Sequence, residues 1–284
     1  MLSMSLYIPE NKEYPYPEKT DQHYGTFKMN RGIIFDKDYP YVDNSKSFKF
    51  KRFWVRLLCR IIVFPFMVPP KTGLKIVGKK NIKKHKEELK NGFVTVSNHV
   101  HDWDYLCIMK ALHNFRWPNT LSIGENINND SGPLVRLVGC IPIPVGDEEA
   151  KAAFKKAVNQ LLQDGGVLHF YAEGSKWDYY VPIRPFKRGA ASYAIKNNKP
   201  ILPFAFSYRE PSKFRKKVMK QKACFTLHVG EPIFANPDLS GLEQIDDLTI
   251  RVHQAVCLLA GFNGDNIYPP LYDPNNSPKK PFKN

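Results

Sequence analysis

Short apolar runs alternate with amphipathic stretches of helical period through the middle of the chain. This is the pattern of a mixed α/β domain whose helices cover a sheet. Residues 92–98 (GFVTVSN), 140–145 (CIPIPV), 167–174 (VLHFYAEG), 200–208 (PILPFAFSY) and 224–230 (CFTLHVG) predict strands. The spacing between them predicts helices over 103–113, capped by Asp102, and over 148–166. The second has Ala153, Phe154, Ala157, Val158, Leu161 and Leu162 along one side and ends at Gly165 and Gly166. Residues 186–199 and 242–261 predict two more.

The ends read differently. Residues 1–48, rich in Pro, Tyr, Asp and Lys without apolar period, predict an irregular arm; 263–284 predict a loose Pro-rich tail bearing Lys279, Lys280 and Lys283. Between arm and domain, residues 49–70 (KFKRFWVRLLCRIIVFPFMVPP) carry Arg52, Arg56 and Arg60 at every fourth position beside a stripe of Phe53, Leu57, Ile61 and Phe64. From Phe53 to Phe64, with Pro65 as breaker, this helix would be about 18 Å long against a hydrocarbon core of roughly 30 Å, too short to span. The expectation is an interfacial helix whose arginines snorkel to lipid phosphates. The alternative is a helix buried on the core with its arginines facing water. Residues 71–262 form the expected main domain.

Charge sharpens the picture. Forty-two Lys and Arg against 27 Asp and Glu leave a net charge of +15. Eight lysines crowd 71–90 and seven basic residues crowd 209–222, which suits an anionic membrane or a phosphorylated ligand. Nucleic acid is disfavoured, because the aromatics fall in core-like strands and no reader motif is present. Cys59, Cys107, Cys140, Cys224 and Cys257 form no paired motif and read as reduced core thiols. The first residues lack a basic segment followed by an apolar one, so export is not expected and the cytoplasmic side of a membrane is.

The sharpest chemistry lies in Asn98-His99-Val100-His101-Asp102-Trp103-Asp104, at a predicted junction of strand and helix. Five residues on, Asp104 can fold back to hold the His99 ring, making His99 a candidate general base with His101 second. The same residues also fit a helix-capping, surface-polar role. A dinuclear metal hydrolase reading fails on spacing, since no third His follows His101, and no metal is expected. Tyr171-Ala172-Glu173-Gly174-Ser175-Lys176 after a strand reads as an anion cradle or as a plain polar turn, and Lys187 and Arg188 add cations downstream. His113, His169, His228 and His253 read as packing or surface residues.

Taken in order, these segments resemble the glycerolipid acyltransferase family that includes 1-acylglycerol-3-phosphate acyltransferases. Ser97 to Asp104 is similar to its S-N-H-x-x-x-x-D block, Tyr171 to Lys176 to its aromatic-Pro-E-G-T-R block, and Pro200 to Pro203 to its Pro-opened strand. Phe186 to Gly189 also looks like the family, and the likeness spans about 75–235. The second block departs, running Gly139-Cys140-Ile141-Pro142-Ile143-Pro144 where the family has an acid-Arg pair. The resemblance implies a glycerol-3-phosphate acyltransferase-like α/β fold with a mixed central sheet and an N-terminal amphipathic membrane-surface helix. It implies acyl transfer to a lysophospholipid, with acyl-CoA or acyl carrier protein as co-substrate and no cofactor. His99 and Asp104 would be catalytic, and Glu173, Gly174, Ser175, Lys176, Lys187 and Arg188 would bind substrate. The alternatives are another lysolipid or glycolipid acceptor, a non-enzymatic basic membrane-binding module, and a metal-dependent hydrolase.

Overall fold

The computed structural model describes residues 7–9, 18–22, 30–262 and 268–275. Its centre is a seven-stranded mixed sheet in the order β1-β7-β6-β2-β5-β3-β4. The strands are β1 (Lys75–Val77), β2 (Phe93–Ser97), β3 (Pro118–Ile123), β4 (Cys140–Ile143), β5 (Val167–Tyr171), β6 (Ile201–Arg209) and β7 (Cys224–Val229). Neighbouring strands run parallel except β6 and β7. Parallel strands are buried on both faces, which is why all five β2 positions are buried rather than alternating.

Two apolar layers sandwich the sheet. In β2, Phe93 points into one with Ile108 and Leu112 of α5 (Asp104–Leu112), while Val94 and Val96 point into the other. There they meet α7 (Glu148–Gln163), α8 (Gly189–Lys196) and α10 (Gly241–Ala260). Asp147 caps α7 through its carboxylate, accepting from Glu149 and Ala150 N–H. Several elements go beyond the periodicity reading, among them β1, β3 and α6 (Gly132–Val138), which is too short to show a stripe. Short helices α3 (Lys80–Lys84) and α4 (Lys86–Leu89) link β1 to β2, and α9 (Lys213–Lys217) links β6 to β7. All five cysteines are free and buried.

The N-terminal helix corrects one expectation. It does not stop at Pro65: α1 (Lys46–Leu58), a π-helical stretch (Cys59–Met67) and α2 (Val68–Thr72) form one helix over Lys46–Thr72. Widening to π geometry makes room for the Pro65 ring, and Val68 N–H reaches back five residues to Val63 O. Pro69 cannot donate, and the Phe64 carbonyl instead accepts from Lys110 Nζ. At 1.5 Å per residue the helix is roughly 40 Å long, enough to cross a bilayer by length and composition.

Its orientation corrects the second expectation. The arginines face the domain: Arg52 donates to Asn119 Oδ1, Arg56 lies over Trp117 and Arg60 donates to Asn114 Oδ1. The apolar row Phe50, Phe53, Trp54, Leu58, Ile61, Ile62, Phe66 and Met67 is left 42–71% exposed. Phe64 points inward, stacked on Trp117.

The ends pack more than expected. Thr20 and Tyr41 of the arm are buried, and Asn128 bonds Ile33 through both N–H and carbonyl. Tyr268 is buried beside Tyr180, and Leu271 bridges Phe186. Lys279, Lys280 and Lys283 lie outside the described residues.

Candidate active site

Register builds the site. Ser97 pairs with Tyr171, so the chain leaving β2 at Asn98-His99 runs beside the chain leaving β5 at Ala172-Glu173. The Asn98 amide extends the sheet by one step, accepting from Phe206 N–H and donating to Phe206 O at 2.8 and 3.1 Å. His99 N–H donates to Glu173 Oε2 at 3.0 Å, and Trp177 and Tyr179 N–H donate to the carbonyls of His99 and Val100. Tyr179 sits at φ +57°, a strained conformation held by that last bond.

Asp104 opens α5 and points back at the loop it follows. Its Oδ2 accepts from Val100 and His101 N–H at 2.7 and 2.9 Å and lies 3.1 Å from His99 Nδ1. The carboxylate is fully buried, whereas the imidazole keeps 22% of its surface exposed. Burial pushes the Asp104 pKa up to about 7, against the pull of His101 and the two backbone donors. Asp104 Oδ1 has no hydrogen-bond partner among the described residues. The Tyr171 ring stacks on the imidazole at 3.6 Å and 12°, fixing its plane. Asp102 does not cap α5; it pairs with Lys176. His101 Nδ1 accepts from Trp103 N–H. Behind the pair lies His169, hydrogen-bonded to Thr95 and held neutral by burial, its pKa down to about 3.

The second block is built around a buried ion pair. Glu173 and Arg184 are each 1% exposed and meet at 2.8 Å; Glu173 Oε1 also accepts from Arg184 N–H. Arg184 further donates to Ser175 Oγ, Ser175 O and Thr20 O, and lies over Trp177 at 4.4 Å. Arg184 escaped the sequence reading because a lone Arg in a Pro-rich loop carries no spacing signal. Burial raises the Glu173 pKa, opposed by Arg184.

The expected cradle therefore looks inward. Ser175 is fully buried and its hydroxyl donates to Thr20 O, while Gly174 N–H closes a turn on Tyr171 O. Lys176 pairs with Asp102 and Asp178, which keep it charged despite its partial burial. Lys187 lies against Gly174, pairs with Asp21 at 3.3 Å and sits over Tyr272. Gly174 adopts φ +82°, and a Cβ there would fall 2.8 Å from Lys187 Cε. Arg188 pairs with Asp246 of α10. The structure thus brings His99, Asp104 and Glu173 together and spends Ser175, Lys176, Lys187 and Arg188 on internal partners. Among the described residues, no three His, Cys, Asp or Glu side chains converge as a metal-holding group.

A family model described as Acyltransferase matches residues 73–207, which take in both blocks and the strands that carry them. This segment is an acyltransferase domain. No curated protein sequence matches the chain. Among solved structures it is similar to the 1-acyl-sn-glycerophosphate acyltransferase PlsC from Thermotoga maritima, with a TM-score of 0.45 and 16% identity over 77% of this chain and 84% of that one. The acyltransferase segment begins just after the long N-terminal helix, and that helix packs through Phe64 and Val68 into the apolar layer around α5.

Proposed function

We propose that this acyltransferase moves a fatty acyl group from acyl-CoA or acyl carrier protein to the free hydroxyl of a lysophospholipid, working at the cytoplasmic face of a membrane. The observation that carries the reading is the His99 imidazole held through Nδ1 by a buried carboxylate. In that arrangement Nε2 takes the hydroxyl proton as the oxygen attacks the thioester carbonyl. A C–O bond forms, the C–S bond breaks, and the imidazolium returns its proton to the departing thiolate. Asp104 stabilises the imidazolium and fixes the tautomer. General-base catalysis of this kind contributes roughly 10²- to 10⁴-fold. Glu173 acts through structure, holding the His99 backbone and the Arg184 loop together.

Membrane placement is supported by the outward apolar row of the N-terminal helix and by α9 at its far end. There Phe214 and Val218 are each 64% exposed among Lys213, Lys216 and Lys217, and Arg215 donates to the Pro69 and Pro70 carbonyls. The domain-facing arginines favour a helix lying in the interface over one threading the bilayer.

1-Acylglycerol-3-phosphate is the acceptor that the ordered blocks suggest. A second acceptor class, a lysolipid without a phosphomonoester, is favoured by Lys176 and Lys187 both being neutralised by carboxylates. Thiol release from an acyl thioester, measured across a panel of lysolipids, separates them. Release that depends on one acceptor supports the reading, and release unaffected by any acceptor refutes it.

A further inference from the structure

The long N-terminal helix, the residues just before it and Trp117 ahead of β3 line a half-open cavity of about 410 Å³, with Lys49, Arg52, Arg56 and Arg60 in its wall beside the apolar Phe53 and Leu57. The carboxylate in this wall, Asp43, accepts from Ser45 N–H. Among the described residues none of the three arginines has an ion-pair partner, and the Nε atoms of Arg52 and Arg56 are buried without a hydrogen-bond acceptor. Burial and the charge of Arg52 both work against the charge on Arg56. Four cations against the one Asp43 carboxylate leave the wall with an excess of positive charge, which a bound anion would offset.

We infer that this cavity is a headgroup site that binds the phosphate of an anionic glycerophospholipid, seating the N-terminal helix on the membrane. Guanidinium groups recognise phosphate oxygens as paired donors, and three of them stand in this one wall. The lipid source follows from the rest of the wall. Phe53 lies in the cavity and also in the exposed apolar row, so a phosphate held by the arginines leaves its acyl chains against that row. The cavity is separate from the proposed chemistry. Pro118 pairs with Val167 at the start of β5, whereas His99 lies beyond the other end of that strand, about 13 Å away along four residues. The inference rests on the membrane-surface part of the proposed function and not on the role of His99.

The test is binding of the full chain to phosphatidylcholine vesicles with and without phosphatidate, alongside titration with inorganic phosphate, short-chain phosphatidate and coenzyme A. Arg56→Gln/Arg60→Gln should weaken binding to phosphatidate vesicles roughly tenfold or more and leave phosphatidylcholine binding unchanged. Lys213→Gln/Lys217→Gln removes the same charge from α9 and should weaken it less. Short-chain phosphatidate should bind wild type more tightly than inorganic phosphate does. Equal losses in the two double variants would reduce the effect to diffuse surface charge and overturn the inference. So would equal affinity for inorganic phosphate, or displacement of the lipid by coenzyme A. Should the Gln variant fail to fold, Arg56→Lys/Arg60→Lys replaces it, keeping charge but losing paired donors. Because the readout is binding, its failure is distinct from failure of acyl transfer.

Discussion

The proposed reaction sets two opposing demands on Asp104: a carboxylate that balances an imidazolium, and full burial. Its pKa near 7 lies above the ordinary value of 3.8, so its contribution to stability is complete below about 3.8 and lost as pH rises through about 7. Relative to Asp104→Asn, wild type should therefore lose stability across that window, measured by urea unfolding at a series of pH values. Turnover should move the opposite way, rising through about pH 7 as the pair becomes competent, the two groups titrating together. Asp104→Asn should lower kcat roughly 10²- to 10⁴-fold with little change in KM. At the second block, Glu173→Gln leaves Arg184 charged and buried, and should cost about 3–5 kcal/mol in denaturant unfolding. The His-to-Asp link was legible because five residues across a strand-to-helix junction bring the two groups together. Tyr171 was legible only as part of a block, because stacking on His99 depends on β2–β5 register, and Arg184 was not legible at all.

Among the elements, strands and helices with strong period were read nearly to their ends. The failures have physical causes. Pro65 was read as a stop because proline ordinarily removes a hydrogen bond and clashes with the preceding turn; here π geometry makes room for its ring, and Lys110 takes up the Phe64 carbonyl that Pro69 leaves without a donor. The arginine stripe was expected at lipid phosphates, because a helix lying in an interface ordinarily lets its cations snorkel to the headgroups; here the arginines turn to the domain instead. This helix turns its apolar row away, which needs a second apolar medium to make sense. Replacing Trp54 and Phe66 with Asp should then weaken vesicle binding by at least roughly tenfold without lowering the unfolding midpoint, since both are more than half exposed. A fall in the midpoint would show that the row packs within the protein.

At the level of the whole molecule, the net charge is +15, and the basic α9 meets the C-terminal end of the helix that carries the exposed apolar row. Association with anionic vesicles should weaken as the Debye length falls from about 10 Å at 0.1 M salt to about 3 Å at 1 M, and level off at the apolar contribution. Sheet order was not legible, because the chain's periodicity carries no record of which strands neighbour one another. Yet that order sets β2 beside β5 and so joins the two blocks into one site. In the proposed function His99, held by Asp104, is the base of an acyl transfer at a membrane surface. That role is tested most directly by comparing wild type and His99→Ala for thioester-dependent acylation of lysolipid in anionic vesicles, with vesicle binding measured in the same samples. His99→Ala should bind like wild type and transfer no acyl group; transfer at the wild-type rate would exclude His99 as the base.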